Sequence, residues 1–172
     1  HALQPFEQPP ERRDRRLELD RDAVARAYAS RELYGELEGL PKLAPPEVLE
    51  RTVAADVVRL QIRYRFVGDL SPAVTAVIDP AKLSWVEHST HDLDRRSVTY
   101  RLVPDHYPDR LQSSGTCAIV PDGDGTVRTV RGRLKVRALV VGGAVERAIV
   151  SGLREYLEAE AGAVARIVSA RQ

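Results

Sequence analysis

The C-terminal third of the chain changes its hydrophobic period once, and this change predicts a long strand followed by a long helix. Across residues 127–141, apolar residues alternate with polar ones, as in a strand that buries one face. Gly142 and Gly143 follow, and from Ala144 onward apolar residues recur at the spacing of an amphipathic helix. The buried stripe of this helix is predicted to contain Val145, Ile149, Leu153, Tyr156, Leu157, Val164 and Ile167.

The alternating pattern also recurs earlier in the chain. It is clearest across residues 57–67, where Arg59, Gln61, Arg63 and Arg65 alternate with Val58, Leu60, Ile62, Tyr64 and Phe66. Similar patterns predict strands at residues 12–20, 47–54, 83–91, 98–102 and 112–120. One or two short helical segments, ending near residue 37, follow the first of these strands.

This order of elements predicts the fold class. Successive hairpins build an antiparallel sheet, and only the C-terminal helix is long enough to cover one of its faces. We therefore expect an α+β helix-grip fold. In it, a single curved antiparallel sheet of about seven strands wraps around a long C-terminal helix, with one or two short helices after the first strand. Residues 1–10, which contain three prolines, are predicted to be a flexible arm, and residues 11–172 a single domain.

Composition narrows the classes of function. The 172 residues carry a formal net charge of +1, which gives no electrostatic case for nucleic acid as a partner. The single cysteine, Cys117, excludes an internal disulfide and a cysteine-rich metal site, and it is interpreted as a small apolar filler. No apolar run reaches the ~20 residues of a membrane span. We expect a cytoplasmic protein with no metal, no cofactor and no transmembrane segment.

The strand-to-helix junction also carries a family resemblance. Residues 132–146 read Gly-Arg-Leu-Lys-Val-Arg-Ala-Leu-Val-Val-Gly-Gly-Ala-Val-Glu. They resemble an uncharacterised actinobacterial branch of the START-like or Bet v 1-like (SRPBCC) superfamily, and the order of elements is similar over nearly the whole chain. Those relatives tend to have a proline before the final Val-Gly-Gly, where this chain has Ala138, Leu139 and Val140. Superfamily members carry lipids, sterols and plant metabolites or cyclise polyketides, and fold alone does not choose among these roles.

A cavity between the sheet and the C-terminal helix is the expected ligand site. Apolar area would supply affinity there, and a few polar groups would set orientation. Glu160 is the unusual member of the helix stripe: it is either a polar anchor inside the cavity or a residue at a solvated rim. The residues predicted to line the cavity are Leu60, Ile62, Tyr64, Trp85, Tyr100, Val136, Ile149, Leu153, Tyr156 and Glu160.

The segment around Trp85 is the richest in chemical groups. Trp85, Glu87, Ser89 and His91 share one face of the predicted strand, and we expect that face to point inward because an aromatic ring suits a cavity wall. The alternative is a core tryptophan with rim neighbours. His88 and His91 lie on opposite faces, so they cannot chelate one metal from a regular strand. His106, between two prolines, is expected at the cavity mouth.

A row of basic residues marks the last predicted strand. Arg131, Arg133, Lys135 and Arg137 share the face opposite the apolar one. The row is interpreted either as a solvated outer face or as a peripheral contact with anionic lipid or a protein partner.

The leading hypothesis is a soluble binding or carrier protein for a small hydrophobic or lipid-like ligand, with no catalytic residues assigned. One alternative is a cyclase- or dehydratase-type enzyme that uses Glu87, His91, Tyr100 or Glu160. The other is a ligand-free interaction or dimerisation module, in which the chain forms a homodimer.

Overall fold

The computed structural model describes residues 4–7, 21–123, 125–137 and 141–171. The helices are α1 (Arg21–Tyr28), α2 (Arg31–Gly35), α3 (Pro72–Thr75) and α4 (Gly142–Ala170), with a short 3₁₀ turn at Pro80–Lys82. The strands are β1 (Gln4–Glu7), β2 (Glu47–Ala54), β3 (Val57–Arg65), β4 (Ser84–Asp92), β5 (Ser97–Pro104), β6 (Leu111–Asp122) and β7 (Gly125–Val136).

The strands form one antiparallel seven-stranded sheet in the order β1-β7-β6-β5-β4-β3-β2. From β2 to β7, neighbours in the sheet are also neighbours in the chain, as expected for strands joined by hairpins. Tight turns make two of these reversals: Ala55 between β2 and β3 and Gly123 after β6 both have positive φ, at 51° and 59°. The connection from β3 to β4 is longer and contains α3 and the 3₁₀ turn. The predicted helix-grip fold is confirmed.

Helix α4 meets different surroundings along its 29 residues. Its first half faces a cavity, whereas beyond Glu160 its apolar stripe packs into the main core with α1, α2 and the inner face of the sheet. A second, smaller apolar cluster lies at the other end of the molecule. It contains Val74, Ile78, Val136 and Val145, with Leu70, Leu83, Tyr107, Leu111, Val141 and Ile149 packed against it. Side chains do not fill the space between the two clusters, and this space forms the cavity.

The junction between β7 and α4 differs from the prediction. The strand ends at Val136 rather than at residue 141, and the helix begins at Gly142, two residues earlier than predicted. The buried carboxylate of Glu146 accepts a hydrogen bond from the backbone N–H of Val136 at 2.9 Å, so a helix side chain replaces a strand partner there. Residues 138–140 lie outside the described residues.

The N-terminal segment also differs from expectation. Residues 4–7, within the predicted flexible arm, form β1 and pair with β7 from Gln4 opposite Leu134 to Glu7 opposite Arg131. The strand predicted at residues 12–20 lies outside the described residues. Among the described residues, no helix combines the length and apolar composition that a membrane span requires.

Candidate functional site

A cavity of about 180 Å³ lies between the inner face of the sheet and the first half of α4. A single water needs roughly 10–15 Å³ of such space, so the cavity has room for a molecule much larger than water. Its wall is largely apolar and aromatic, with contributions from β3, β4, β5, β6, β7 and α4 and from the loops at one end of the sheet. This combination is characteristic of a small-molecule site.

Eight of the ten residues predicted for the site line this cavity. They are Tyr64, Trp85, Tyr100, Val136, Ile149, Leu153, Tyr156 and Glu160. They come from four strands and one helix, which the fold brings together around a single space. Whether they bind a ligand stays a prediction.

Leu60 and Ile62 do not line the cavity, and this corrects the prediction. Both point inward from β3, but they are 1% and 0% exposed and belong to the main core. That core also contains Leu33 on α2 and Leu37 just after it, and both are similarly buried. Side chains of the helices therefore fill the space next to Leu60 and Ile62 on the inner face of β3. At Tyr64 the cavity begins.

Strand β4 points the Trp85 face inward, as expected. In the register, Trp85 pairs with Tyr64, Glu87 with Ile62 and His91 with Val58, and these β3 partners are all buried. Trp85, Glu87 and His91 line the cavity. One strand thus delivers an aromatic ring, a carboxyl group and an imidazole to the same space.

A buried ion pair lies at the inner end of the cavity. The guanidinium of Arg128 on β7 donates a hydrogen bond to Glu160 on α4, and their side chains are only 12% and 6% exposed. The same guanidinium lies 4.0 Å from the centre of the Tyr28 ring on α1. Glu160 is therefore an interior residue, and its charge is compensated as a buried carboxylate requires. It is also the last residue of α4 on the cavity wall.

Arg128 is a charged residue of the cavity wall that the sequence interpretation missed. It lies on the same face of β7 as Val130, Leu134 and Val136, so strand alternation alone indicates that it points inward. A positive residue in the apolar row of the last strand, together with Glu160 in the apolar stripe of the helix, was the available signal. Two opposite charges on facing buried surfaces predict a pair.

Glu87 is a second acidic group on the wall, and its environment differs. Burial, reinforced by the negative charge of Glu160, raises the pKa of the Glu87 carboxyl to about 7, and Arg128 opposes this only in part. One buried cation thus faces two carboxyl groups. We call Glu87, Arg128 and Glu160 the buried charge cluster.

His91 is held in its neutral form. Burial, followed by the positive charges of Arg128 and Arg51, lowers the pKa of His91 to about 3. Its Nε2 lies 3.1 Å from the hydroxyl of Ser89. Its Nδ1 is buried and has no hydrogen-bond partner within the described part of the chain.

Tyrosines supply the remaining polar groups of the wall. The hydroxyls of Tyr64 and Tyr156 are hydrogen-bonded at 2.7 Å, and the indole of Trp85 stacks on Tyr64 with ring centres 6.0 Å apart. Burial is the main cause that raises the pKa of both phenols well above its usual value. Tyr100 crosses over Gly115, where a Cβ atom would come within 2.6 Å of the Tyr100 hydroxyl.

The basic row of β7 divides at the end of the strand. Arg131 and Arg133 are exposed on the outer face, opposite the buried residues Val130 and Leu134, as predicted. Arg137 follows the strand and instead lines the cavity, as does His106, which was expected at the mouth. The row is therefore not continuous along one face.

The sheet and the long C-terminal helix have the helix-grip architecture that the START-like or Bet v 1-like resemblance implies. The chain belongs to the family described as a protein of unknown function (DUF2505), whose model matches residues 13–168. No curated protein matches the sequence.

Solved structures with this fold include proteins of different roles. The protein TTHA0849 from Thermus thermophilus is 17% identical, with a TM-score of 0.65 over 99% of both chains. The ZhuI aromatase/cyclase from Streptomyces sp. R1128 is 15% identical, with a TM-score of 0.64 over 97% of this chain and 96% of its own. Norcoclaurine synthase from Thalictrum flavum is 18% identical, with a TM-score of 0.61 over 97% and 87%. Another structure of that enzyme is a complex with dopamine and hydroxybenzaldehyde. At these identities the likeness shows the fold alone.

Proposed function

We propose that this protein binds or carries a small hydrophobic ligand, held between the sheet and helix α4. The observation that carries the proposal is the cavity of about 180 Å³ with its mainly apolar and aromatic wall. Protein interiors are close-packed, and a void forfeits contacts that its lining would otherwise make. An apolar ligand would restore those contacts.

The aromatic residues favour a ligand with a flat or unsaturated part. The ring of Trp85 stacks on Tyr64, and Tyr156 meets Tyr64 edge-on with ring centres 5.5 Å apart. Such rings present flat faces and hydroxyl groups to the same space. The complex of norcoclaurine synthase with dopamine and hydroxybenzaldehyde, on the same fold, supports this ligand class.

The single tryptophan of the chain provides the test. Because Trp85 lies on the cavity wall, its emission reports directly on a neutral fluorescent probe such as N-phenyl-1-naphthylamine. We expect energy transfer from Trp85 to the probe and saturable binding. Ile149→Phe, which adds volume at the wall, should weaken binding by about tenfold, whereas the matched exposed variant Val53→Phe should not. Equal binding by both variants would place the probe elsewhere and count against the proposal.

Native mass spectrometry of the purified protein is a complementary experiment. A co-purifying small molecule that Ile149→Phe reduces would support the carrier role and identify the ligand. A protein that carries nothing and also fails to bind the neutral probe would favour the ligand-free interaction module instead. Light scattering would then show whether the chain forms a homodimer.

Glu87 favours a second candidate, an acid–base enzyme of cyclase or dehydratase type. A carboxyl group with a pKa of about 7 can donate and accept a proton near neutral pH, which is the condition for general acid–base catalysis. It shares the cavity wall with Tyr100 and His91. The recovered ligand is incubated with the wild type and with Glu87→Gln. Loss of water from the ligand, or its cyclisation, by the wild type alone would support the enzyme. If neither protein changes the ligand, the result would support the carrier role instead.

A further inference from the structure

The mouth of the cavity has a distinct composition. Among the described residues that line the cavity, only Lys82, His106, Arg110 and Arg137 are exposed. All four are basic side chains, although the chain as a whole has a net charge of only +1. We call this set the basic rim. The two acidic residues of the wall, Glu87 and Glu160, both belong to the buried charge cluster instead.

Hydrogen bonds and a ring contact connect the rim although its members come from separate segments. The N–H of Arg137, after β7, donates to the carbonyl oxygen of Arg110, before β6, at 2.7 Å. The Arg110 guanidinium lies 5.3 Å from the centre of the Tyr107 ring. The Tyr107 hydroxyl accepts a hydrogen bond at 3.2 Å from the N–H of Asp79, at the start of the 3₁₀ turn that ends at Lys82.

Two nearby carboxylates have partners of their own. Asp79 accepts the N–H of Ala81 at 3.0 Å, and Asp105 accepts the Ser84 hydroxyl at 2.7 Å and pairs with Arg63. Within the described ranges, Lys82, Arg110 and Arg137 form no ion pair. Among the described residues, three cations at the edge of an apolar space thus have no protein counter-charge.

The loop that carries two rim residues is also strained. Tyr107 has φ of +54°, in the left-handed region that bulky side chains rarely adopt. Such backbone persists only where the surrounding structure holds it, and it is enriched at functional sites. At Tyr107 it directs the ring under Arg110 and the hydroxyl to Asp79.

We propose that the ligand is an amphipathic anion whose carboxylate or phosphate head group binds on the basic rim while its apolar part fills the cavity. This inference rests on the proposed function and names its ligand class. The orientation follows from charge. At the inner end the cation Arg128 is already paired with Glu160, so an anion there would have to compete with a buried carboxylate. The rim instead offers three cations that form no ion pair with the described residues.

Displacement of N-phenyl-1-naphthylamine tests the head group. Decanoate, decyl phosphate and uncharged decanol are compared as competitors on the wild type and on Lys82→Gln/Arg110→Gln/Arg137→Gln. The matched control, Arg59→Gln/Arg65→Gln/Arg133→Gln, removes the same charge from exposed residues outside the cavity wall. We expect the rim variant to bind both anions about tenfold more weakly and decanol within about twofold of the wild type. The control should resemble the wild type.

The outcomes separate the two proposals. If decanol and the neutral probe bind but the rim variant weakens anion binding no more than the control does, the head-group inference is wrong and the proposed cavity stands. Displacement of the probe by inorganic phosphate alone, at matched ionic strength, would also overturn the inference that the ligand is amphipathic. If neither the neutral probe nor decanol binds, the proposed function is wrong and this inference is rejected with it.

Discussion

The two ends of the cavity hold positive charge in opposite ways. At the inner end Arg128 is only 12% exposed, pairs with Glu160 and lies over the ring of Tyr28. At the mouth, Lys82, Arg110 and Arg137 are exposed and have no ion pair within the described ranges. Removing a charge from water is costly, so a buried cation needs a fixed partner. A rim cation keeps its hydration and stays available to a ligand.

The largest loss of stability among these predictions is expected at Arg128, at the inner end. Arg128→Met leaves Glu160 buried without its partner, and we expect a loss of about 3–5 kcal/mol in the free energy of unfolding, measured by urea denaturation. The double variant Arg128→Met/Glu160→Leu should recover much of this loss because neither charge remains. Arg133→Met, an exposed site on the same strand, is the matched control. A small effect of Arg128→Met alone would contradict the role of the pair.

The packing of the two ends should differ as their charges do. Leu60→Ala, in the filled core, is expected to lower the free energy of unfolding by about 3 kcal/mol, since it creates a new void. Leu153→Ala should cost about half as much, because Leu153 already borders an open space. Thermal and urea denaturation of both variants measure the difference. Equal losses would indicate that the wall at Leu153 is as closely packed as the core.

The acidic group of the inner end predicts a pH dependence. The folded-state pKa of Glu87, about 7, lies above its ordinary value of 4.5, so the folded protein holds this proton more tightly than the unfolded chain does. Its contribution to stability is present below pH 4.5 and is lost as the pH rises through about 7. The loss is up to about 3 kcal/mol at roughly 1.4 kcal/mol per pKa unit.

Glu87→Gln isolates this effect, because glutamine does not titrate. The stability of the variant relative to the wild type should increase between pH 4.5 and about 7 and then level off. His91, whose lowered pKa produces the opposite trend below pH 6.5, is present in both proteins and cancels in the difference. A difference that does not change with pH would show that Glu87 titrates normally.

The smallest effects on stability are expected at the mouth. Lys82→Gln and Arg137→Gln should each change the free energy of unfolding by less than about 0.5 kcal/mol, as is usual for exposed charges. The same variants should alter anion binding, so stability and binding separate at the rim. A large loss of stability at either position would show a structural role instead.

The sequence specified the faces of the strands and helix well. Alternation along β3 and β7 is local, so it correctly pointed Tyr64 and Val136 inward, and the helical period did the same for Tyr156 and Glu160. On β4 neither face is cleanly apolar, and the aromatic ring of Trp85 indicated the inward face. The rule of alternation also applied to Arg128. The family likeness and the order of the elements were likewise readable along the chain.

Tertiary structure alone decided which inward residues meet a ligand space. Leu60 and Ile62 obey the same alternation as Tyr64, but α1, α2 and the C-terminal part of α4 fill the space next to them. The pairing of Arg128 with Glu160 and the meeting of Lys82, Arg110 and Arg137 join segments far apart in the chain. Periodicity fixes the direction of a side chain, whereas a void or a charge pair depends on where distant elements end.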